Sequence, residues 1–422
     1  MKKIILLSLS LLFLYPFQAR AEDLVRVKLV QHIGESSQLT FRVSGQYQIL
    51  GETVPLKENI TYKLTMKGGK FVLKEGNRKG EALMSDTLVL LPKRYDYTHQ
   101  VSINDRPYLG AMEFIKEKNN TIRPVNQLPV EDYLKGVVPF EVYPSWGIET
   151  LKAQTLAART YAISHINDDL DDTIKFQVYG GFTWSESTTK AVNDTKGEVI
   201  TYNDRLIDAF YSASNGGITE NNAHVWGAQP KSYFPIKEDQ YDPVNPWKFK
   251  LHKTQINLND QDELDDNWWE NAKEKDTEIT NSMKKYLQAN GYPGEIKILS
   301  IPMFEVSSKT LKSKRSTTGS IKVEFLQRLI DGTILYDEIS FNQVNLNKIR
   351  PLIGGNLFKS YFIDSLTVEN DAYVMKGRGF GHGVGMSQWG AHYMGVSGNS
   401  YQQIIDYYYP GTKIKQVDNL MK

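Results

Sequence analysis

Leu128-Pro129-Val130-Glu131-Asp132-Tyr133-Leu134 marks the place where the chain changes character. Before it, apolar and polar residues alternate in short runs such as Val25-Arg26-Val27-Lys28-Leu29 and Tyr62-Lys63-Leu64-Thr65-Met66, with Lys67-Gly68-Gly69-Lys70 as a turn. A period of two puts one side of each run into a core and predicts strands. Strands are expected to continue from Tyr95 to Val125. Beyond the quoted stretch the period lengthens. Ile148, Leu151, Thr155, Ala158, Ala162 and Ile166 form one stripe at helical spacing, predicting a helix from about Trp146 to Asn167 with Ser145 as its cap. Lys152 and Arg159, seven residues apart, share a different face of that helix. The reading is α+β: a β-rich N-terminal domain over 22–94, then a mixed domain over 95–415 with a divergent insertion at about 253–319.

Within the second domain, 197–213 reads as two strands joined at Asn203-Asp204, and Asp331-Gly332 is the strongest hairpin signal, between 321–330 and 333–341. The stretch 253–291 is acidic, polar and partly helical, with Asn290-Gly291 as a stop, and reads as an inserted surface element. Residues 309–320 read as a flexible basic loop.

The N-terminus carries Lys2 and Lys3, an apolar run from Ile4 to Phe17, and Ala19-Arg20-Ala21. That is the pattern of a signal peptide over 1–21. The run falls short of the roughly twenty residues a spanning helix needs, so cleavage without a remaining membrane anchor is expected. The expected location is therefore outside the cytoplasm, in the periplasm or cell envelope. Charge is balanced, 50 basic against 49 acidic residues, which argues against nucleic acid as a partner. Cysteine is absent. The 24 Tyr, 17 Phe and 7 Trp suit a sugar-binding surface and equally suit ordinary β cores.

Two stretches stand out chemically. Gly377-Arg378-Gly379-Phe380-Gly381-His382-Gly383-Val384-Gly385-Met386-Ser387-Gln388-Trp389-Gly390-Ala391 has glycine at five alternate positions, which frees the backbone for close approach. It lacks the dinucleotide fingerprint and the Gly-Lys-Ser/Thr of a phosphate loop. The second is Gly136-Val137-Val138-Pro139-Phe140-Glu141-Val142-Tyr143-Pro144-Ser145-Trp146, one carboxylate among apolar and aromatic residues. Buried there, Glu141 would resist ionisation and could donate a proton to a leaving oxygen. A glutamate at a bend can also simply face solvent, and spacing alone leaves both readings open.

The stretch from Val130 to Glu141, followed by Leu151-Lys152-Ala153-Gln154-Thr155-Leu156-Ala157-Ala158-Arg159-Thr160-Tyr161-Ala162, resembles the SpoIID/LytB family. So do Phe176-Gln177-Val178-Tyr179-Gly180-Gly181, Ala209-Phe210-Tyr211-Ser212-Ala213-Ser214-Asn215-Gly216-Gly217, Val225-Trp226-Gly227, the glycine-histidine run, and Tyr407-Tyr408-Tyr409-Pro410-Gly411-Thr412. The resemblance implies a peptidoglycan lytic transglycosylase, cutting between N-acetylmuramic acid and N-acetylglucosamine on glycan strands, with a preference for strands stripped of stem peptides. Glu141 matches the family's catalytic glutamate. Other members are described as enhancers of a partner amidase, which keeps a non-catalytic glycan-binding activator as the alternative. A hydrolase would need a second carboxylate beside Glu141, with Asp208 and Glu220 as candidates.

Lys152, Arg159, Tyr211, Ser212, Ser214, His382 and Gln388 are the expected substrate-binding residues. For His382 a role in orienting the loop or Glu141 competes with sugar contact, and for Lys152 a solvated helix face competes with binding. Some family members place cysteines near Phe176 and Asn215 for zinc or a disulfide. Here those positions lack sulfur, and the seven histidines form no ligand pair at helical spacing, so neither a metal nor another cofactor is expected.

Overall fold

The computed structural model describes residues 24–419 except 54, 77–82, 169, 259–265 and 309. The expected signal peptide lies outside the described residues. The fold is α+β. The chain divides into two compact units, one running to Ala209 with Gly398–Ile404 and the stretch from Thr412, the other Phe210–Ser397 with Ile405–Gly411.

In the first unit two six-stranded sheets and a helical layer share one core. One sheet has the order 170–171, 24–28, 122–129, 111–116, 88–92, 47–49; the other runs 83–85, 70–75, 62–67, 38–44, 100–103, 106–109. Phe41 joins them, its ring centroid 5.4 Å from Tyr62 in its own sheet and 5.5 Å from Phe114 in the other. The chain passes between sheets at Gly110, whose φ of +78° and 2.2 Å gap between a would-be Cβ and the Gln127 carbonyl oxygen admit only glycine. The expected boundary at 94/95 therefore falls inside this unit, because strand 111–116 pairs with strand 88–92. Local alternation reveals strands but not which strands pair.

Helices α1 (Val130–Glu141), α2 (Ile148–Ser164) and α3 (Glu186–Asp194) cover this core. α1 follows directly from strand Ile122–Pro129, with Glu131 and Asp132 in its first turn, where negative charge complements the helix dipole. Pro139 withdraws an N–H near the end, and the helix stops two residues later. α2 begins after Gly147 rather than at the expected cap Ser145, and ends at Ser164. Its buried residues include the expected stripe positions Leu151, Thr155, Ala158 and Ala162 but also Ala153, Gln154, Leu156, Ala157, Arg159 and Thr160. The face carrying Arg159 is therefore interior. The turns at Gly68-Gly69 and Asn203-Asp204 form as expected, with positive φ at all four residues.

The second unit has its own core, built from Trp247, Phe249, Ile279, Met283, Ile298, Val323, Phe325, Leu346, Phe358 and Met375 among others. Two three-stranded sheets contribute, with orders 246–252, 372–378, 363–369 and 295–306, 318–328, 334–345. Helix Thr277–Ala289 ends at Asn290, and Gly291 follows at φ +102°. The stretch read as a surface insertion thus supplies core: Ile279, Met283 and Leu287 are buried. Nor is the segment read as a flexible loop loose, since Leu311 N–H bonds the Arg315 carbonyl and Ser313 and Arg315 are buried. Among the described residues no helix is long and apolar enough to cross a membrane.

Gly136 of α1 meets the segment 177–181 closely. A Cβ there would lie 2.5 Å from the Gly181 carbonyl oxygen and 2.6 Å from the Tyr179 ring. Replacing an interior helical glycine by alanine normally gains about 1 kcal/mol. Here overpacking of about 1–3 kcal/mol opposes it. Gly136→Ala is expected to lower the urea midpoint; a raised midpoint would show that the contact yields.

Candidate functional site

Glu141 is the final residue of α1 and is half-buried. Its Oε1 accepts the Val178 N–H at 2.8 Å. The segment that supplies this N–H is itself fixed. The fully buried Tyr133 hydroxyl donates to Gln177 Oε1 at 3.2 Å, and Gln177 Nε2 donates to the Ala158 carbonyl at 3.2 Å. Two residues on, Gly180 N–H bonds the Gly136 carbonyl at 2.9 Å, and the Phe140 ring lies where a Gly180 Cβ would go. Burial pushes the Tyr133 hydroxyl well above the usual phenol pKa, and the charge of Glu141 adds to that. Tyr161, on α2, is pushed up to about 12 by burial, then by Asp168, Asp171, Glu141 and Asp208. Both phenols hold their protons at neutral pH. Asp208 thus acts on the same phenol as Glu141 does. On the solvent side, Phe140 and Tyr143 expose their rings next to Glu141 in sequence.

Arg159 has a different task from the one expected. It is fully buried, and all five of its N–H groups are taken: Glu131 accepts two at 2.9 Å, and Thr195 Oγ1, the Glu198 carbonyl and the Val192 carbonyl accept the rest. Glu131 and Glu141 are ten residues apart on α1, about 15 Å along the axis. The guanidinium therefore clamps the far end of α1 and has no donor left for a glycan. Lys152 is not a freely solvated side chain either; it lies 3.3 Å from Asp194 and 3.5 Å from Glu149, over the Tyr401 ring.

The structure brings Tyr211, Ser212, Ser214, His382 and Gln388 together in the second unit. Tyr211–Ser212 pairs in parallel with Met386–Ser387. Ser212 is buried and accepts the Gly383 N–H at 3.2 Å, while Ser214 donates to Asp242 at 2.8 Å. Asp242 also takes Ser387 Oγ at 2.7 Å and the Asn215 N–H at 2.9 Å. Ser212 and Ser214 are therefore internal braces rather than a groove wall. Gln388 is buried at the start of helix Gln388–Val396, and Tyr211 is partly exposed. The tyrosine motif anchors the same unit: Tyr408 donates to Asp239 at 2.9 Å and Tyr409 to the Phe210 carbonyl at 2.8 Å.

His382 is neutral by design of its surroundings. Its Nδ1 accepts the Val384 N–H at 3.0 Å, and the ring stands edge-on to Phe210 and Trp226. Burial and the Arg315 charge lower its pKa to about 4, outweighing a hydrogen bond to the Tyr211 backbone. The glycine run serves close packing within the unit. A Cβ at Gly383 would lie 2.2 Å from Arg315 Nη2, and one at Gly385 2.0 Å from the Phe210 carbonyl oxygen. Arg315 cannot retreat, because it donates to the Asn215 and Ile218 carbonyls. Glu220 is buried against His224 and Ser313. Among the described residues no three His, Asp or Glu side chains gather where a metal could be held.

Residues 118–202, the stretch that holds Glu141, Val178 and the Arg159 clamp, match the SpoIID family, described as stage II sporulation protein. The chain is 37% identical over 388 residues to a Bacillus subtilis (strain 168) protein named amidase enhancer, covering 90% of this chain but 53% of the relative, so it spans about half that protein's length. A protein of Brachyspira hyodysenteriae (strain ATCC 49526 / WA1) with no described role is 30% identical over 332 residues, with 76% of each chain covered. Stage II sporulation protein D of Bacillus subtilis (strain 168) is 26% identical over 373 residues, covering 80% of this chain and 93% of that one. The chain belongs to the SpoIID family.

The groups that do the positioning leave little trace in the sequence. Val178 acts through its backbone, which leaves no side-chain signature. Gln177 lies in the motif Phe176–Gly181, but its partners Tyr133 and Ala158 lie far from it in sequence. Arg315 lay in a stretch read as divergent.

Two outcomes test this arrangement. Arg159→Lys keeps the charge but cannot serve five acceptors, and is expected to cost on the order of 3 kcal/mol in urea unfolding; a loss under about 0.5 kcal/mol would contradict the clamp. His382 should stay neutral by NMR from pH 8 to pH 5. Its folded pKa lies below the ordinary value near 6.5, so its stabilisation is complete above pH 6.5 and is lost as pH falls toward 4, by up to about 3 kcal/mol. A ring titrating near 6.5 in the folded protein would refute that.

Proposed function

We propose that the protein is a peptidoglycan lytic transglycosylase of the cell envelope, cutting glycan strands between N-acetylmuramic acid and N-acetylglucosamine with Glu141 as acid and base. The observation that carries this reading is the half-buried Glu141 carboxyl, fixed by the Val178 N–H at 2.8 Å and flanked in sequence by two exposed aromatic residues. Family membership supports a role at the cell wall.

The chemistry needs one carboxyl group. Glu141, protonated, gives its proton to the glycosidic oxygen as the bond to the muramic acid anomeric carbon breaks. The six-position hydroxyl of the same sugar then attacks that carbon and closes a 1,6-anhydro ring. Its proton passes to the Glu141 carboxylate, which restores the acid. No water is consumed, and the nucleophile is already attached to the reacting sugar. The remaining task is to hold one oxygen in place, which the Tyr133–Gln177 chain serves by fixing the Val178 peptide.

A second reading is favoured by the relative named amidase enhancer: a glycan-binding activator of an amidase. Incubation with purified glycan strands lacking stem peptides, followed by mass spectrometry, separates the two. Anhydro ends are expected, and Glu141→Gln should lower their rate by about 10²–10⁴-fold while the melting temperature stays near that of the parent, because the amide oxygen can still accept the Val178 N–H. Full activity in the variant would exclude Glu141. Reducing ends would indicate hydrolysis, and no cleavage with stimulation of an added amidase would favour the activator.

A further inference from the structure

The segment that holds Glu141 continues as Gly180-Gly181-Phe182-Thr183-Trp184, and its rings meet Tyr97. Phe182 and Trp184 are edge to face at 4.7 Å; Tyr97 is 5.9 Å from Phe182, nearly parallel, and 5.2 Å from Trp184, edge-on. All three rings reach solvent, Tyr97 with 51% of its surface. Beneath them lies a buried ion pair, Lys135 Nζ to Asp132 Oδ1 at 2.9 Å. The ammonium stands 4.6 Å from the Trp184 ring centre and 3.4 Å from the Tyr97 hydroxyl. Asp132 also accepts the Tyr95 hydroxyl at 2.6 Å.

A buried ion pair is a poor source of stability, since desolvation consumes most of the attraction. This one fixes the underside of exposed aromatic rings. Rings held rigidly with their surfaces in water lose little entropy when a flat apolar partner covers them. The C–H face of a pyranose is such a partner. The platform is also continuous with the site: from Val178 to Trp184 the chain can reach at most about 20 Å, the span of a few sugars. Phe140, exposed and next to Glu141 in sequence, is seated against Gly180 of that same segment.

We propose that Tyr97, Phe182 and Trp184 form a stacking subsite for a pyranose of the glycan strand, remote from the bond at Glu141, which makes the protein prefer long strands to short ones. This rests on Glu141 being where the strand is cut.

The test is isothermal titration of the Glu141→Gln protein, which cannot consume its ligand, with a tetrasaccharide and an octasaccharide of alternating N-acetylglucosamine and N-acetylmuramic acid. The octasaccharide is expected to bind about tenfold more tightly. Adding Trp184→Ala should reduce the octasaccharide to the level of the tetrasaccharide, and Trp184→Phe should retain most of the preference. If Trp184→Ala melts early, Tyr97→Ala carries the same expectation. Equal binding of both lengths, or an unaltered octasaccharide affinity in the alanine variants, overturns the subsite. Cleavage of long strands by the parent protein without length preference would sink the subsite alone. Neither cleavage nor binding of either saccharide would sink the cutting reading with it.

Discussion

The first unit is organised around one guanidinium. Arg159 projects from α2 and is accepted by Glu131 at the start of α1, by Val192 and Thr195 at the end of α3, and by Glu198 at the start of a strand. A buried charge is tolerable only when every donor is satisfied in good geometry, and here every donor is. The consequence is a demand on three helices at once: none can shift without stranding a donor in a dry interior. α1 is thereby fixed at one end, and its other end presents Glu141. The position of the carboxylate follows from a charge about 15 Å away that never touches it.

The second unit meets the same demand with two carboxylates and one arginine. Asp239 and Asp242 gather hydroxyls and N–H groups from the 212–217 segment, the glycine run and the tyrosine motif, while Arg315 fills the space beside Gly383. Three motifs far apart in sequence are thus parts of one polar core. Their shared appearance reflects mutual packing more than a common ligand, and this reduces the direct claim of His382, Ser212 and Ser214 on substrate.

Local features were legible from sequence. The turns at Gly68-Gly69 and Asn203-Asp204 declare themselves because few residues tolerate positive φ. The α2 stripe was correct as far as it went. What escaped was long-range. Arg159 reads as a glycan-binding residue because a helix pattern records which residues are apolar, not which charges are paired; its partner lies 28 positions upstream. The boundary at 94/95 failed because strand pairing crosses it, and the 253–319 stretch looked like surface because its polar residues outnumber the few that build a core. Glu141 was found as a side chain, while the peptide that holds it was not.

Strand Lys413–Gln416 pairs with strand Glu198–Tyr202, completing a sheet of the first unit, and Tyr408 and Tyr409 supply buried hydroxyls to the second. Both units are therefore discontinuous in the chain. Neither can close its structure before residues beyond 404 have been made. The two units must therefore complete together, when the stretch 398–416 is available to both, rather than one at a time from the N-terminus as domains commonly do.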